Sequence, residues 1–144
     1  MKKLLIIFGL FLSCSVFAQV KYTYNQNELV ATCLILEASN QGKIGLEAVY
    51  EVILNRQNKS HKSLSEIVLQ PKQFSCFNSK DSKTLILKAK QDKNFETALE
   101  IVKNNKNEWT VKGATFYYAD YIPKPYWANG MTVTRKIGVH IFLK

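Results

Sequence analysis

The sequence predicts an α+β domain, rich in helix and closed by a small β element at its C-terminal end. Three observations carry that expectation. Apolar residues recur at helical spacing from about residue 28 to residue 104. From Thr110 the texture changes to β-branched and aromatic residues, the composition of strands. No repeat or Pro/Gly-rich linker divides the 144 residues, and 47% hydrophobic content suffices for one ordinary core.

The first eighteen residues stand apart. Lys2 and Lys3 precede the apolar run Leu4–Leu12, and Val16 and Ala18 close the segment. A basic start, a short apolar stretch and small residues at that spacing describe a cleavable secretory signal. The run is too short to persist as a bilayer-spanning helix. Met1–Ala18 is therefore expected to be removed, leaving one domain over residues 19–144, a monomer with no stable membrane insertion. Its expected place is the periplasm, the cell envelope or the medium. Cys14 offers lipoprotein processing as the alternative, but Leu12 is bulky for the second position upstream of such a cut.

The helices follow in order. Asn27 is placed to cap a helix from about Glu28 to Ser39. Its stretch from Leu29 to Leu36 is apolar on nearly every side, so that helix should be buried. Asn40-Gln-Gly42 breaks it. A second helix is expected from Ile44 to Gln57, burying Ile44, Ala48, Val49, Val52 and Ile53 and turning Glu47 and Glu51 outward. Asn58–Lys62 reads as a loop. Ser63-Leu-Ser-Glu66 is a capping box opening a short helix that ends before Pro71. Leu85–Ala89 suggests another short helix. Asn94–Asn104 suggests an amphipathic one, with Phe95, Ala98, Leu99 and Val102 inward. Met131–Arg135 and Val139–Leu143 read as strands around Gly138.

Charge and cysteine usage narrow the function. The formal charge of +9 becomes +7 once the signal, with two lysines and no acid, is gone. A lysine-rich surface is drawn to any polyanion: wall polymers, anionic lipid or nucleic acid. No basic helix, zinc spacing or RNA-binding aromatic strand accompanies the charge, so nucleic acid is not the expected partner. Cys33 and Cys76 could form a disulfide in an oxidising compartment. Cys33, inside an apolar run, reads equally well as a small buried hydrophobe. Cys33, Cys76, His61 and His140 hold no metal-ligand spacing, so neither metal nor cofactor is expected.

Glu37 is the most informative residue. It follows eight uncharged residues at the C-terminal end of a helix that should be buried. Desolvation and the helix dipole both disfavour its charge, and both should raise its pKa. A carboxyl group kept protonated near neutral pH is what general-acid cleavage of a glycosidic bond requires. On its own the residue reads as well as a cap for a neighbouring amide or a partner for Arg56.

Short blocks in a fixed order extend this reading. Leu34-Ile-Leu-Glu-Ala38 is followed by Gly42, by Ala48-Val49 and by Val52-Ile-Leu-Asn-Arg56. Gln70-Pro-Lys-Gln-Phe-Ser75 comes next, then Gly113-Ala-Thr-Phe-Tyr-Tyr118, Pro125-Tyr-Trp127 and Ile137-Gly-Val-His-Ile-Phe142. Together they resemble the SleB-like cell-wall hydrolases, the family of spore cortex-lytic enzymes and their relatives in non-sporulating bacteria. The resemblance spans nearly all of residues 29–142. Ser39 and Asn40 depart from the Arg-Gly that often follows Glu-Ala in that family. Phe116 stands where His is frequent, and Leu143 replaces a terminal aromatic.

The resemblance implies a lysozyme-like fold and a lytic transglycosylase acting on peptidoglycan glycan strands. It makes Glu37 the single catalytic carboxylate, first acid and then base, at the bond between N-acetylmuramic acid and N-acetylglucosamine. The muramyl C6 hydroxyl closes on C1 to give a 1,6-anhydro sugar. A hydrolytic muramidase would need a second carboxylate, for which Asp120 is the plausible candidate; a wall-binding module without catalysis is the other alternative. Gln73 and Ser75 offer polar groups for sugar substituents. Tyr117, Tyr118 and Trp127 offer flat faces for pyranose rings. His140, on a short strand, is counted with the substrate-binding residues, and reads as a hydrogen-bonded core histidine, with a cleft tyrosine as a candidate partner, rather than as a catalytic base. Asn55 and Arg56 are expected to tie the second helix to the cleft wall.

Overall fold

The computed structural model describes residues 25–78 and 81–144. The expected signal segment Met1–Ala18, with Cys14, lies outside them. The element order bears out the α+β expectation: five helices come first and a three-stranded antiparallel sheet closes the domain. No described helix is long and apolar enough to cross a membrane.

Helix α1 spans Gln26–Ala38 and is the hub of the domain. Leu29, Val30, Ala31, Cys33 and Leu34 are fully buried, and α2 to α5 all pack on this helix. Asn25 caps it in place of Asn27: the Asn25 side chain accepts from the Asn27 amide at 3.0 Å, so Asn27 is already helical. A short 3-10 turn, Ser39–Gln41, leads into α2, Gly42–Ser60. Helix α2 outruns its expected end because His61 terminates it in the left-handed conformation, its N–H bonded to the Gln57 carbonyl at 2.8 Å.

Two expectations for α2 are overturned. Ile44 is 50% exposed, while Leu46 and Tyr50 fill the core. Glu51, expected in water, is only 2% exposed. The chain around Thr110 and Val111 crosses α2 and presents two backbone amides, which donate to the Glu51 carboxylate at 2.9 and 2.8 Å. Helical spacing locates a face; it does not reveal that a distant loop will cover it with donors.

Helix α3, Leu64–Leu69, has the reciprocal Ser63 and Glu66 bonds of its capping box and ends before Pro71. Helix α4 spans Ser82–Ala89 behind an Asp81 cap. Helix α5, Phe95–Asn104, buries Phe95, Ala98, Ile101 and Val102. The sheet comprises β1 (Phe116–Ala119), β2 (Val133–Ile137) and β3 (His140–Leu143), in the order β1-β3-β2. Strand β1 is not among the expected strands: its four residues, Phe-Tyr-Tyr-Ala, carry no apolar–polar alternation. Its register pairs Tyr117 with Phe142 and Ala119 with His140.

Candidate active site

Glu37 lies in the last turn of α1, half-buried, where the packed helix gives way to the turn at Ser39. Its Oε2 accepts a 2.7 Å hydrogen bond from the Tyr117 hydroxyl. Tyr117 stands on the inward face of β1, its ring centroid 4.7 Å from that of His140 and 5.6 Å from that of Phe142. Burial pushes the Tyr117 hydroxyl well above its usual range, and the neighbouring Glu37 and Cys33 push the same way. It therefore remains a donor throughout the neutral range. The polar end of Tyr117 is thus committed to the carboxylate.

Gln41 binds the other side of this cluster. Its Oε1 accepts from the Val139 amide at 3.0 Å. That bond turns the amide nitrogen toward His140 Nδ1, 3.0 Å away. The same nitrogen lies 3.4 Å from His140 Nε2; an amide NH₂ only donates, so the imidazole accepts from Gln41 through a ring nitrogen. Burial lowers the His140 pKa, with Asp120 pulling the other way. His140 is thus a neutral, oriented ring beside Tyr117. Gln41 itself is held by two glycines. A Cβ at Gly138 would collide with its Oε1, and one at Gly45 would collide with its Cβ. Gly138 also has φ +55, opening the two-residue β2–β3 turn.

Arg56 forms the far wall. Its guanidinium lies between the Phe74 ring at 5.0 Å and the Phe116 ring at 5.6 Å. Its Nε donates to the Thr115 carbonyl at 2.7 Å. The Nη1 nitrogen is buried without a hydrogen-bond partner among the described residues. Burial lowers the Arg56 pKa, while Tyr117, Cys33 and Glu37 hold the charge in place. Asn55 is structural, donating to the Ala114 carbonyl at 2.9 Å.

On the outer face of β1, Phe116 and Tyr118 flank Trp127, with ring separations of 5.7 and 6.2 Å. Trp127 is 48% exposed and Phe116 39%, so these rings form an open aromatic surface of the kind expected for Tyr118 and Trp127. Phe116, unusual by the family resemblance, belongs to it. Gln73 lines a groove with Arg56 and Phe116. Ser75 is exposed at the start of the 3-10 turn Ser75–Phe77. That turn brings Cys76 close enough to influence Cys33, and both thiols are free.

Two carboxylates change the expected picture. Asp120 is engaged by Lys136 Nζ at 2.6 Å. Asp92, which the sequence does not single out, accepts from Ser39 Oγ at 2.7 Å and from the Asn94 amide at 2.8 Å. Those bonds, the Ser39 hydroxyl first, hold its carboxyl below the usual range. With Ser39, Asn40 and Asn94 it lines an open groove of about 800 Å³ that begins two residues beyond Glu37. A hollow of about 380 Å³ between α2 and α5 contains none of the expected site residues.

Known proteins share this fold. The catalytic domain of the germination-specific lytic transglycosylase SleB from Bacillus anthracis superposes with a TM-score of 0.67 at 22% identity, over 87% of this chain and 98% of that one. The catalytic domain of the Bacillus cereus SleB protein gives 0.59 at 22% identity, over 85% and 94%. No curated protein matches. The profile of the Cell Wall Hydrolase family matches residues 40–143, from just beyond Glu37 to the end of β3. A helix-rich SleB-type domain matched over most of its length in this way belongs to the cell wall hydrolase family.

Proposed function

We propose that the chain is an exported lytic transglycosylase that cleaves the N-acetylmuramic acid to N-acetylglucosamine bond of peptidoglycan, with Glu37 as both acid and base. Membership of a cell wall hydrolase family implies a peptidoglycan substrate. The observation that carries the mechanism is the pairing of a half-buried Glu37 with the Tyr117 hydroxyl. That bond fixes one carboxylate oxygen and leaves the other for the glycosidic oxygen. Proton transfer to that oxygen lets the C1–O bond break as positive charge develops on the muramyl ring. The resulting carboxylate takes the proton of the muramyl C6 hydroxyl, whose oxygen bonds to C1 and closes the 1,6-anhydro ring. Phe116, Tyr118 and Trp127 supply the apolar surface for sugar rings.

Hydrolysis is the second reading, and Asp92 favours it: an ionised carboxylate bonded to Ser39, two residues from the acid, could activate water. Purified sacculi distinguish the readings. Anhydro-muramyl ends in the released products support the transglycosylase, and reducing muramyl ends overturn it in favour of Asp92-assisted hydrolysis. Binding without any released sugar would make the chain a wall-binding module.

A further inference from the structure

A second groove, about 300 Å³, opens at the C-terminal end of α2. Its charge differs from that of the groove beside Asp92. Arg56 and Lys59 border it, Gln70 and Gln73 contribute amides, Ile67 and Phe116 give it an apolar side, and no acid is among the described residues lining it. Arg56 is held rigidly there by its two flanking rings and by the Thr115 carbonyl. One of its guanidinium nitrogens has no partner among the described residues. The fixed guanidinium and the Lys59 ammonium give the groove a positive rim that favours an acidic occupant. A planar guanidinium with free donor capacity matches a carboxylate.

The groove and the catalytic centre share a stretch of chain. Thr115 and Phe116 lie immediately before Tyr117, the partner of Glu37, and Arg56 is close enough for its charge to be influenced by Glu37. In peptidoglycan the muramyl residue carries an acidic peptide on its lactyl group. A muramyl ring placed at Glu37 therefore brings carboxylates with it.

We propose that the groove between Arg56 and Lys59 is a subsite for this acidic peptide, so that the enzyme selects glycan strands that carry it. Ile67 and Phe116 would pack against the peptide's apolar side chains, and Gln70 and Gln73 would bond its backbone. The proposal rests on the catalytic reading above for the placement of the muramyl ring.

The test uses the full mature protein and two substrates from one sacculus preparation: strands with their peptides, and the same strands stripped by an amidase. The wild type is expected to prefer the peptide-bearing strand, and salt is expected to narrow the preference. Lys59→Glu reverses an exposed charge without touching the core. It should lower the ratio of kcat/KM on peptide-bearing to peptide-free strands about fivefold, through KM. Arg56→Gln should lower it further, with thermal melts reporting whether that variant folds. If it does not, Lys59→Glu alone decides. A ratio unmoved by Lys59→Glu overturns the subsite. If the wild type cleaves neither strand, the catalytic reading fails separately, and co-sedimentation decides the subsite. Tighter, Lys59-dependent binding to the peptide-bearing strand supports it; equal binding overturns it.

Discussion

The Tyr117 hydroxyl donates to Glu37 Oε2 across a gap of 2.7 Å and 80 residues of sequence. The first helix of the domain supplies the carboxylate and the last structural layer supplies its partner. An acid that must give and then take a proton gains from being held by a donor that stays protonated, and burial keeps Tyr117 so. Orientation of this kind lowers the entropic part of a barrier without changing the chemistry.

Glu37→Gln preserves size and an acceptor for Tyr117 but removes the transferable proton. Release of soluble muropeptides from sacculi should fall at least 10²–10⁴-fold, the usual worth of general acid–base catalysis, with fold and strand binding retained. Glu47→Gln, on a partly exposed side chain of α2, is the control and should release muropeptides normally. Near-normal turnover by a folded Glu37→Gln protein would refute the mechanism.

Tyr117→Phe keeps the ring packed on His140 and Phe142 and deletes only the hydroxyl. Loss of one hydrogen bond to a charged group corresponds to about tenfold in rate. The loss is expected in kcat, with KM little changed, because the hydroxyl faces Glu37 and not the sugar. A rise in KM alone would favour Tyr117 as a sugar platform.

Acid should loosen the domain through His140. Its folded pKa lies below the ordinary value, so the native state favours the neutral ring. The associated stability is fully present above the unfolded value, about 6.5, and is lost as pH falls through the lower folded pKa. Melting temperature should therefore drop on acidification below about pH 6.5. His140→Gln should flatten that slope. Asp92, whose carboxyl is also held down, acts in the same direction but only in the lower carboxylate range. An unchanged slope in His140→Gln would refute the assignment.

Glu51→Ala strips acceptors from two amides that the loop at Thr110 cannot turn toward water. The expected cost is about 2–4 kcal/mol, measured by denaturant unfolding. A value within about 0.5 kcal/mol of the wild type would fit the solvent-facing position that helical spacing suggests.

Gly138→Ala places a methyl where Gln41 Oε1 now lies, on a backbone at positive φ. Strain and displacement together should cost about 1–3 kcal/mol. Because Gln41 orients His140, activity should also fall, more than in a surface substitution of equal stability cost. A fully active Gly138→Ala enzyme would show that the clamp is dispensable.

Helices with a local signature are legible in the amino-acid sequence: the Ser63–Glu66 box, the apolar run of α1 and the spacing of α5 all form where their residues place them. Gln73 lines a groove with Arg56 and Phe116, and Tyr118 and Trp127 share one aromatic surface. What escapes is built from long-range pairing. Glu51 reads as a surface residue until the chain 59 and 60 residues away lies over it. Asp92 sits in a polar stretch and gains meaning only through Ser39, 53 residues earlier. Gln41 has no motif of its own; its role is visible only beside Gly45 and Gly138.

The central strand of the sheet is also the last in sequence, and it brings His140 to Gln41, 99 residues upstream. A chain made from its N-terminus therefore presents Glu37 long before it presents Tyr117 or the Gly138 turn. Until the final strand docks, the acid has no oriented partner and the groove beside Arg56 lacks its Phe116 wall. On the proposed function, completion of the fold is itself the activation step: the acid gains its oriented partner only when the last strand closes the sheet.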